Sequence, residues 1–105
     1  MKRIHIALAV GELESSIIEY TKRLGAKPCC VVANAYALWR TDQVNLSITV
    51  NAEEAGTLRH LGFEDSDVKT MSIETDINGF IWERFTEDQQ NQEILNYWPN
   101  AGFLP

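Results

Sequence analysis

The chain contains two histidines, and each lies in a stretch that alternates like a β-strand. In RIHIALAV, residues 3–10, Ile4, Ile6, Leu8 and Val10 take one face, while His5, Ala7 and Ala9 take the other. In LRHLGFE, residues 58–64, His60 shares a face with Gly62 and Glu64. Bulky aliphatic residues on one face of a strand pack against a neighbouring element. Small residues on the other face leave room, so each imidazole is expected to look into a space. A third candidate is Glu83 in FIWERF, residues 80–85, where it shares a face with Ile81 and Phe85. A carboxylate between two apolar neighbours is costly to bury without a partner. Two imidazoles and a carboxylate converging from three strands would form a ligand set for a divalent transition metal, with coordination positions left open. The imidazoles suit Fe, Ni, Co, Zn or Mn, and the carboxylate makes the site harder. The same residues have a plainer use. A strand histidine is commonly a hydrogen-bonded core or rim residue, and a glutamate on an outer strand commonly faces solvent. Spacing alone leaves both uses open.

The elements that would position these residues follow from periodicity. Residues 12–24 read as a helix, with Leu13, Ile17, Tyr20 and Leu24 in one apolar stripe. Glu12 and Glu14 open it and Lys22 and Arg23 close it, as the helix dipole favours. Gly25 follows as the C-terminal cap, whereas Gly11 offers no side-chain acceptor at the start. Strands are expected near 28–33, 35–41 and 43–50, with turns at Asn34 and Thr41-Asp42. Residues 3–50 therefore spell β-α-β-β-β. The polar stretch NAEEAG, 51–56, links them to LRHLGFE. Further strands are expected at 68–75 and 80–85, joined by the turn DING. Residues 86–97 permit a helix, and Trp98 and Phe103 are placed to anchor the tail. The two histidine strands form a faint internal repeat.

A chain of 105 residues with 45% hydrophobic content reads as one small globular domain. The formal net charge of -6 and the lack of any basic cluster argue against nucleic acid and anionic membrane as partners. No apolar run approaches the roughly 20 residues of a membrane span. The opening MKRIHIALAV lacks the long apolar core and cleavage site of a signal peptide, so a cytoplasmic protein is expected. Cys29 and Cys30 are adjacent, which disfavours a bond between them. They read as small strand residues with free thiols. A thiol pair for a soft metal is the sharper alternative, although no C-x-x-C spacing is present.

The stretch RIHIALAVGELESSIIEYTKRLGA resembles the opening of the vicinal oxygen chelate superfamily, which includes glyoxalase I, the bleomycin and fosfomycin resistance proteins and the extradiol dioxygenases. His5, Val10, Glu12-Leu13, Ser16, Tyr20 and Leu24-Gly25 carry the likeness. GTLRHLGFE resembles the start of a second module, with His60 at its ligand position. TDINGFIWERF resembles a closing strand, with Glu83 at its ligand position. YALWR and VNLSI are most similar to the branch of cadmium-induced proteins and carbon–arsenic lyases. The likeness covers nearly all of residues 1–86.

The resemblance implies an α+β fold with a mixed, curved sheet. A complete βαβββ glyoxalase-like module would occupy 1–50, a shortened second module 58–86, and a C-terminal helix and tail 87–105. It implies a divalent metal held by His5, His60 and Glu83, and a small-molecule ligand. No residue stands out as a general base. The second module has too little chain for its helix and one strand, so a homodimer is expected to cover the apolar surface around Met71, Ile73 and Trp82. Two functions follow: a binding protein whose activity is lost or narrowed, or a metal-dependent lyase, glyoxalase-like or dioxygenase-like enzyme.

Overall fold

The computed structural model describes residues 1–103. It is an α+β domain with one eight-stranded mixed sheet and two helices. The elements are β1 (Lys2–Val10), α1 (Leu13–Leu24), β2 (Cys30–Val32), β3 (Tyr36–Arg40), β4 (Val44–Val50), β5 (Leu58–Asp65), β6 (Ser72–Thr75), β7 (Ile81–Phe85), α2 (Glu87–Tyr97) and β8 (Gly102–Phe103). The strand order is β6-β7-β5-β1-β4-β3-β2-β8.

The two histidine strands, β1 and β5, are antiparallel neighbours at the centre of the sheet. Each runs parallel to the last strand of its own half, β1 to β4 and β5 to β7. Each of those last strands is antiparallel to the strand before it, β4 to β3 and β7 to β6. Residues 58–85 thus repeat the outline of residues 2–50, less one helix and one strand.

The aliphatic stripe of α1 packs where the alternation of β1 requires. Leu13 joins Val10, Ala37, Trp39, Leu46 and Ile48 in a buried cluster, with Ile6, Leu8, Ile17, Tyr20 and Leu24 at its margin. Trp39 is fully buried, and its indole N–H donates to the Ala26 carbonyl at 3.0 Å, so its one polar atom is satisfied. Gly25 ends the helix in the left-handed region, at φ 68°, and its N–H donates to Thr21. The N-cap is Glu12 and not Gly11 as expected, and it too makes no side-chain capping hydrogen bond. Asn34 adopts φ 63° in the turn between β2 and β3.

The opposite face of the sheet is covered by α2. Ile94 and the partly buried Trp98 meet Cys30, Tyr36 and Leu38, and Phe103 closes the edge from β8. The helix begins with a capping box in which the Thr86 hydroxyl accepts from the Gln89 N–H and the Gln89 amide oxygen accepts from the Thr86 N–H. The signal is visible in the sequence as Thr-x-x-Gln. Both cysteines are free thiols, with Cys30 buried.

Three expectations are corrected. The strand expected at 68–75 is confined to Ser72–Thr75, because the N–H of Val68 closes a turn on the Asp65 carbonyl and the Gln89 side chain holds the Lys69 carbonyl at 3.1 Å. The sheet is open and not curved as expected, and α2 lies across its site face. Finally, Ile73 and Trp82 do not share an apolar face. Ile73 pairs with Glu83 and Trp82 with Glu74, so the pleat sends Ile73 and Trp82 to opposite sides. Trp82 stacks on Phe63, and Lys2 and Arg84 cover the Phe63 ring.

Candidate metal centre

The sheet register assembles the site as one row of side chains across five strands. Arg40 on β3 lies beside Asn45 on β4, Asn45 beside His5 on β1, His5 beside Gly62 on β5, and Gly62 beside Glu83 on β7. His60 enters from the adjoining row, opposite Ala7. The three candidate ligands are therefore brought together as the sequence suggests. Their ligand atoms all lie within 4.8 Å of one another. The Nε2 atoms of His5 and His60 are 3.0 Å apart, and His60 Nε2 is 3.2 Å from Glu83 Oε1. Ligand atoms each about 2.1 Å from a common ion stand roughly 3.0 to 3.4 Å apart for octahedral to tetrahedral angles. The two contacts of His60, at 3.0 and 3.2 Å, fall in that range, and all three donors lie within 4.8 Å, so the donor set is compatible with a divalent transition metal.

Gly62 has a local reason. A Cβ at this position would overlap the Glu83 carbonyl oxygen and lie 2.8 Å from its carbonyl carbon. The bare Cα lets β7 approach β5 closely enough to present Glu83 beside the histidines. Space for a ligand is a consequence of that approach and not its cause.

His5 is buried, with 2% of its surface exposed. Its Nδ1 lies 2.8 Å from Asn45 Oδ1 and 3.2 Å from the Asn45 carbonyl, and the edge of the ring meets Phe85. Behind Asn45 lies a buried polar network. The Asn45 amide donates to Glu64 Oε1 at 2.9 Å and to Gln90 Oε1 at 2.7 Å. Glu64 also accepts from Arg3 at 2.7 Å and forms an ion pair, without a hydrogen bond, with Arg40 Nε at 3.3 Å. Arg40 in turn donates to Gln90 and Asn91 on α2. Paired, hydrogen-bonded charges are the form in which ions persist in an interior.

Burial lowers His5 below the usual histidine range, against the raising effect of its bonds to Asn45. Burial also pushes His60 down to about 4, with help from the neighbouring His5 and Arg59. Glu83 moves the other way. Burial lifts its carboxyl to about 7, Glu93 adds to the rise and Arg59 opposes it. The contact between His60 and Glu83 is thus not an ion pair near neutral pH. It is a neutral imidazole beside a carboxyl group in mid-titration. Neutral imidazoles have the lone pairs a metal needs, and a cation would draw the remaining proton from Glu83.

The triad forms the floor of a cavity of about 430 Å³. Met71, Ile73, Ile94 and Trp98 give it apolar walls, and α2 contributes Gln90 and Glu93. Arg59 stands at the margin and donates to Thr49 Oγ1 at 3.0 Å.

Sequence reasoning missed the Asn45–Glu64–Gln90 network. A signal for part of it exists in VNLSITV, where Asn45, Ser47 and Thr49 alternate with the aliphatic residues as His5, Ala7 and Ala9 do. Gln90 and Arg40 carry no such signal, because only the tertiary docking of α2 joins them to the site. No protein-family model and no curated protein matches this chain.

Proposed function

We propose that the protein holds one divalent transition metal on His5, His60 and Glu83 and takes up a small molecule in the adjoining cavity. On this reading it is a vicinal-oxygen-chelate-like binding protein whose catalytic activity is lost or narrowed. The observation that carries the reading is the close convergence of the three donors at the floor of an apolar-walled cavity. Bound there, the metal would act as a Lewis acid toward oxygen atoms of the ligand. The chain's own contribution is to hold the donors, keep His5 aimed and exclude water with α2. The resemblance of residues 1–86 to the superfamily supports the reading, and so does the repeated outline of the two halves.

The test is calorimetric titration of metal-stripped protein with Zn(II) and Ni(II). The expected result is about one ion per chain, with His60→Ala weakening binding at least 100-fold. At pH 6.5 uptake should also release a proton from Glu83, seen as a buffer-dependent enthalpy. Binding unchanged in His60→Ala would overturn the site.

An enzyme remains the second reading, because three protein ligands leave coordination positions open beside Glu93 and Arg59. Metal-loaded protein would be screened with hemithioacetals, catechols and fosfomycin plus thiol. Turnover abolished by Glu83→Gln and retained in Cys29→Ser would favour the enzyme over the binding protein. A homodimer through the β6 edge is part of the same proposal, since all four residues of β6 are exposed and Ile73 shows 62% of its surface. Sedimentation at micromolar concentration tests it.

A further inference from the structure

The hydrogen bonds around Asn45 decide more than its own position. Glu64, as a carboxylate, only accepts hydrogen bonds, and it lies 2.9 Å from the Asn45 amide nitrogen. That contact turns the NH2 group of Asn45 toward Glu64. Gln90 reinforces the choice. Its Oε1 accepts from the same NH2 at 2.7 Å, while its own NH2 donates to Asn45 Oδ1 at 3.2 Å. The Asn45 oxygen is left facing His5 Nδ1 at 2.8 Å. An oxygen with no hydrogen can only accept, and so can the Asn45 carbonyl that stands 3.2 Å from the same ring atom. The proton of a neutral His5 ring is therefore on Nδ1, and its lone pair is on Nε2, directed at His60.

We infer that Asn45, aimed by Glu64 and Gln90, is a positioning residue that locks His5 as a preset metal donor and makes His60 the donor that must change. The two Nε2 atoms face each other at 3.0 Å. With the lone pair of His5 pointing inward, a hydrogen bond between the rings requires the proton to be on His60 Nε2. That atom is also 3.2 Å from Glu83, so the proton of His60 lies where a metal would bind. Metal uptake by His60 through Nε2 moves its proton to Nδ1, while His5 keeps the tautomer it already has. A fixed donor and an adjustable one thus occupy matching places on β1 and β5. Outer partners that fix the tautomer and orientation of a ligating histidine typically change metal affinity about 10- to 100-fold.

The purpose assigned to Asn45 rests on the metal reading above, whereas the tautomer of His5 is a property of the metal-free protein. The test is long-range 1H–15N correlation NMR of both rings, before and after one equivalent of Zn(II), with zinc affinity measured in parallel. In wild-type protein His5 should be protonated on Nδ1 in both states. His60 should be protonated on Nε2 without zinc and on Nδ1 with it. Asn45→Ala leaves only the longer contact to the backbone carbonyl at 3.2 Å, so it should admit a measurable share of the Nε2–H tautomer of His5 and weaken zinc affinity about 10- to 100-fold. That variant strips partners from buried Glu64 and Gln90 and endangers folding. The double variant Asn45→Asp with Glu64→Gln therefore serves as the control. It conserves total charge, keeps an acceptor facing His5 and reverses the direction of the bond behind it, so it should restore the Nδ1–H form. A His5 ring protonated on Nε2 in wild-type protein would overturn the inference whether or not zinc binds. A locked tautomer with zinc affinity indifferent to Asn45→Ala would also overturn it. A locked His5 in a protein that binds no zinc would instead overturn the metal reading and leave the tautomer assignment standing.

Discussion

The halves on either side of the β1–β5 seam share an outline and differ at every place where the site needs them to. His5 pairs opposite Gly62, and Ala7 opposite His60, so the two histidines occupy matching positions. Two residues after each histidine come Ala7 and Gly62. Their parallel neighbours are Ser47 on β4 and Glu83 on β7. The first half thus offers a hydroxyl where the second offers a carboxylate. It also carries a Cβ where the second half has none. The first half has a helix packed on its aliphatic face, whereas the second has Trp82, Phe63 and two cations on that side. The two halves divide the labour. Residues 2–50 hold His5 in a packed, hydrogen-bonded setting. Residues 58–85 bring the titrating groups.

The comparison breaks most visibly at Gly62. Gly62→Ala places a methyl group on the Glu83 carbonyl, so β7 must shift or the pair must part. The expected cost is about 3 kcal/mol in urea unfolding, with weaker metal uptake because Glu83 moves. The reciprocal change at the matching place, Ala7→Gly, should cost only about 1–2 kcal/mol. Equal costs would mean that the close approach of β7 does not depend on glycine.

Titration separates the halves next. His60 folds with its affinity for protons reduced to about 4, so its contribution to stability is present above about 6.5 and lost as pH falls toward 4. Glu83 folds with its carboxyl raised to about 7, so its contribution is present below about 4.5 and lost as pH rises toward 7. Between those limits the two slopes oppose each other, and part of the acid sensitivity of the histidines is masked. In metal-free protein, Glu83→Gln should remove the mask. Its stability should fall more steeply than wild type from pH 6.5 to 4.5, by an amount on the order of 2 kcal/mol. Identical slopes in denaturation midpoints would show that the His60–Glu83 contact does not keep both groups neutral.

The smallest effect is expected on the surface of the second half. Ile77 is 99% exposed in the turn before β7, and Ile77→Ser should change stability by less than about 0.5 kcal/mol. Ile17, packed on the first half by α1, should cost about 2 kcal/mol or more on the same substitution. A large loss at Ile77, shrinking with dilution as the wild-type protein dissociates, would reveal a partner copy on that face.

The share of this design that is legible in sequence follows how local each signal is. The helix stripe of Leu13, Ile17, Tyr20 and Leu24 and the alternation about His5, His60 and Glu83 are periodic, and each is found where the period puts it. The cap at Gly25 and the turn at Asn34 are single-residue signals of backbone chemistry, and both hold. The failures are non-local. That Ile73 and Trp82 lie on opposite faces depends on the pairing of β6 with β7, and no residue announces that register. The docking of α2 on the site face joins Gln90 to Asn45 across the fold, and the buried bonds among Arg3, Arg40 and Glu64 form only when four strands are in line.

The distance along the chain between the candidate ligands has a kinetic meaning. His5 and His60 lie 55 residues apart and meet only across the central seam, and Glu83 arrives from a third strand. Contacts of such high sequence separation close late in folding, after local turns and helices, because the loop entropy must be met first. No half of this chain can form the triad in isolation. An ion seated on it would therefore recognise the finished fold and nothing earlier, which would make bound metal a reporter of complete folding as well as a tool for binding.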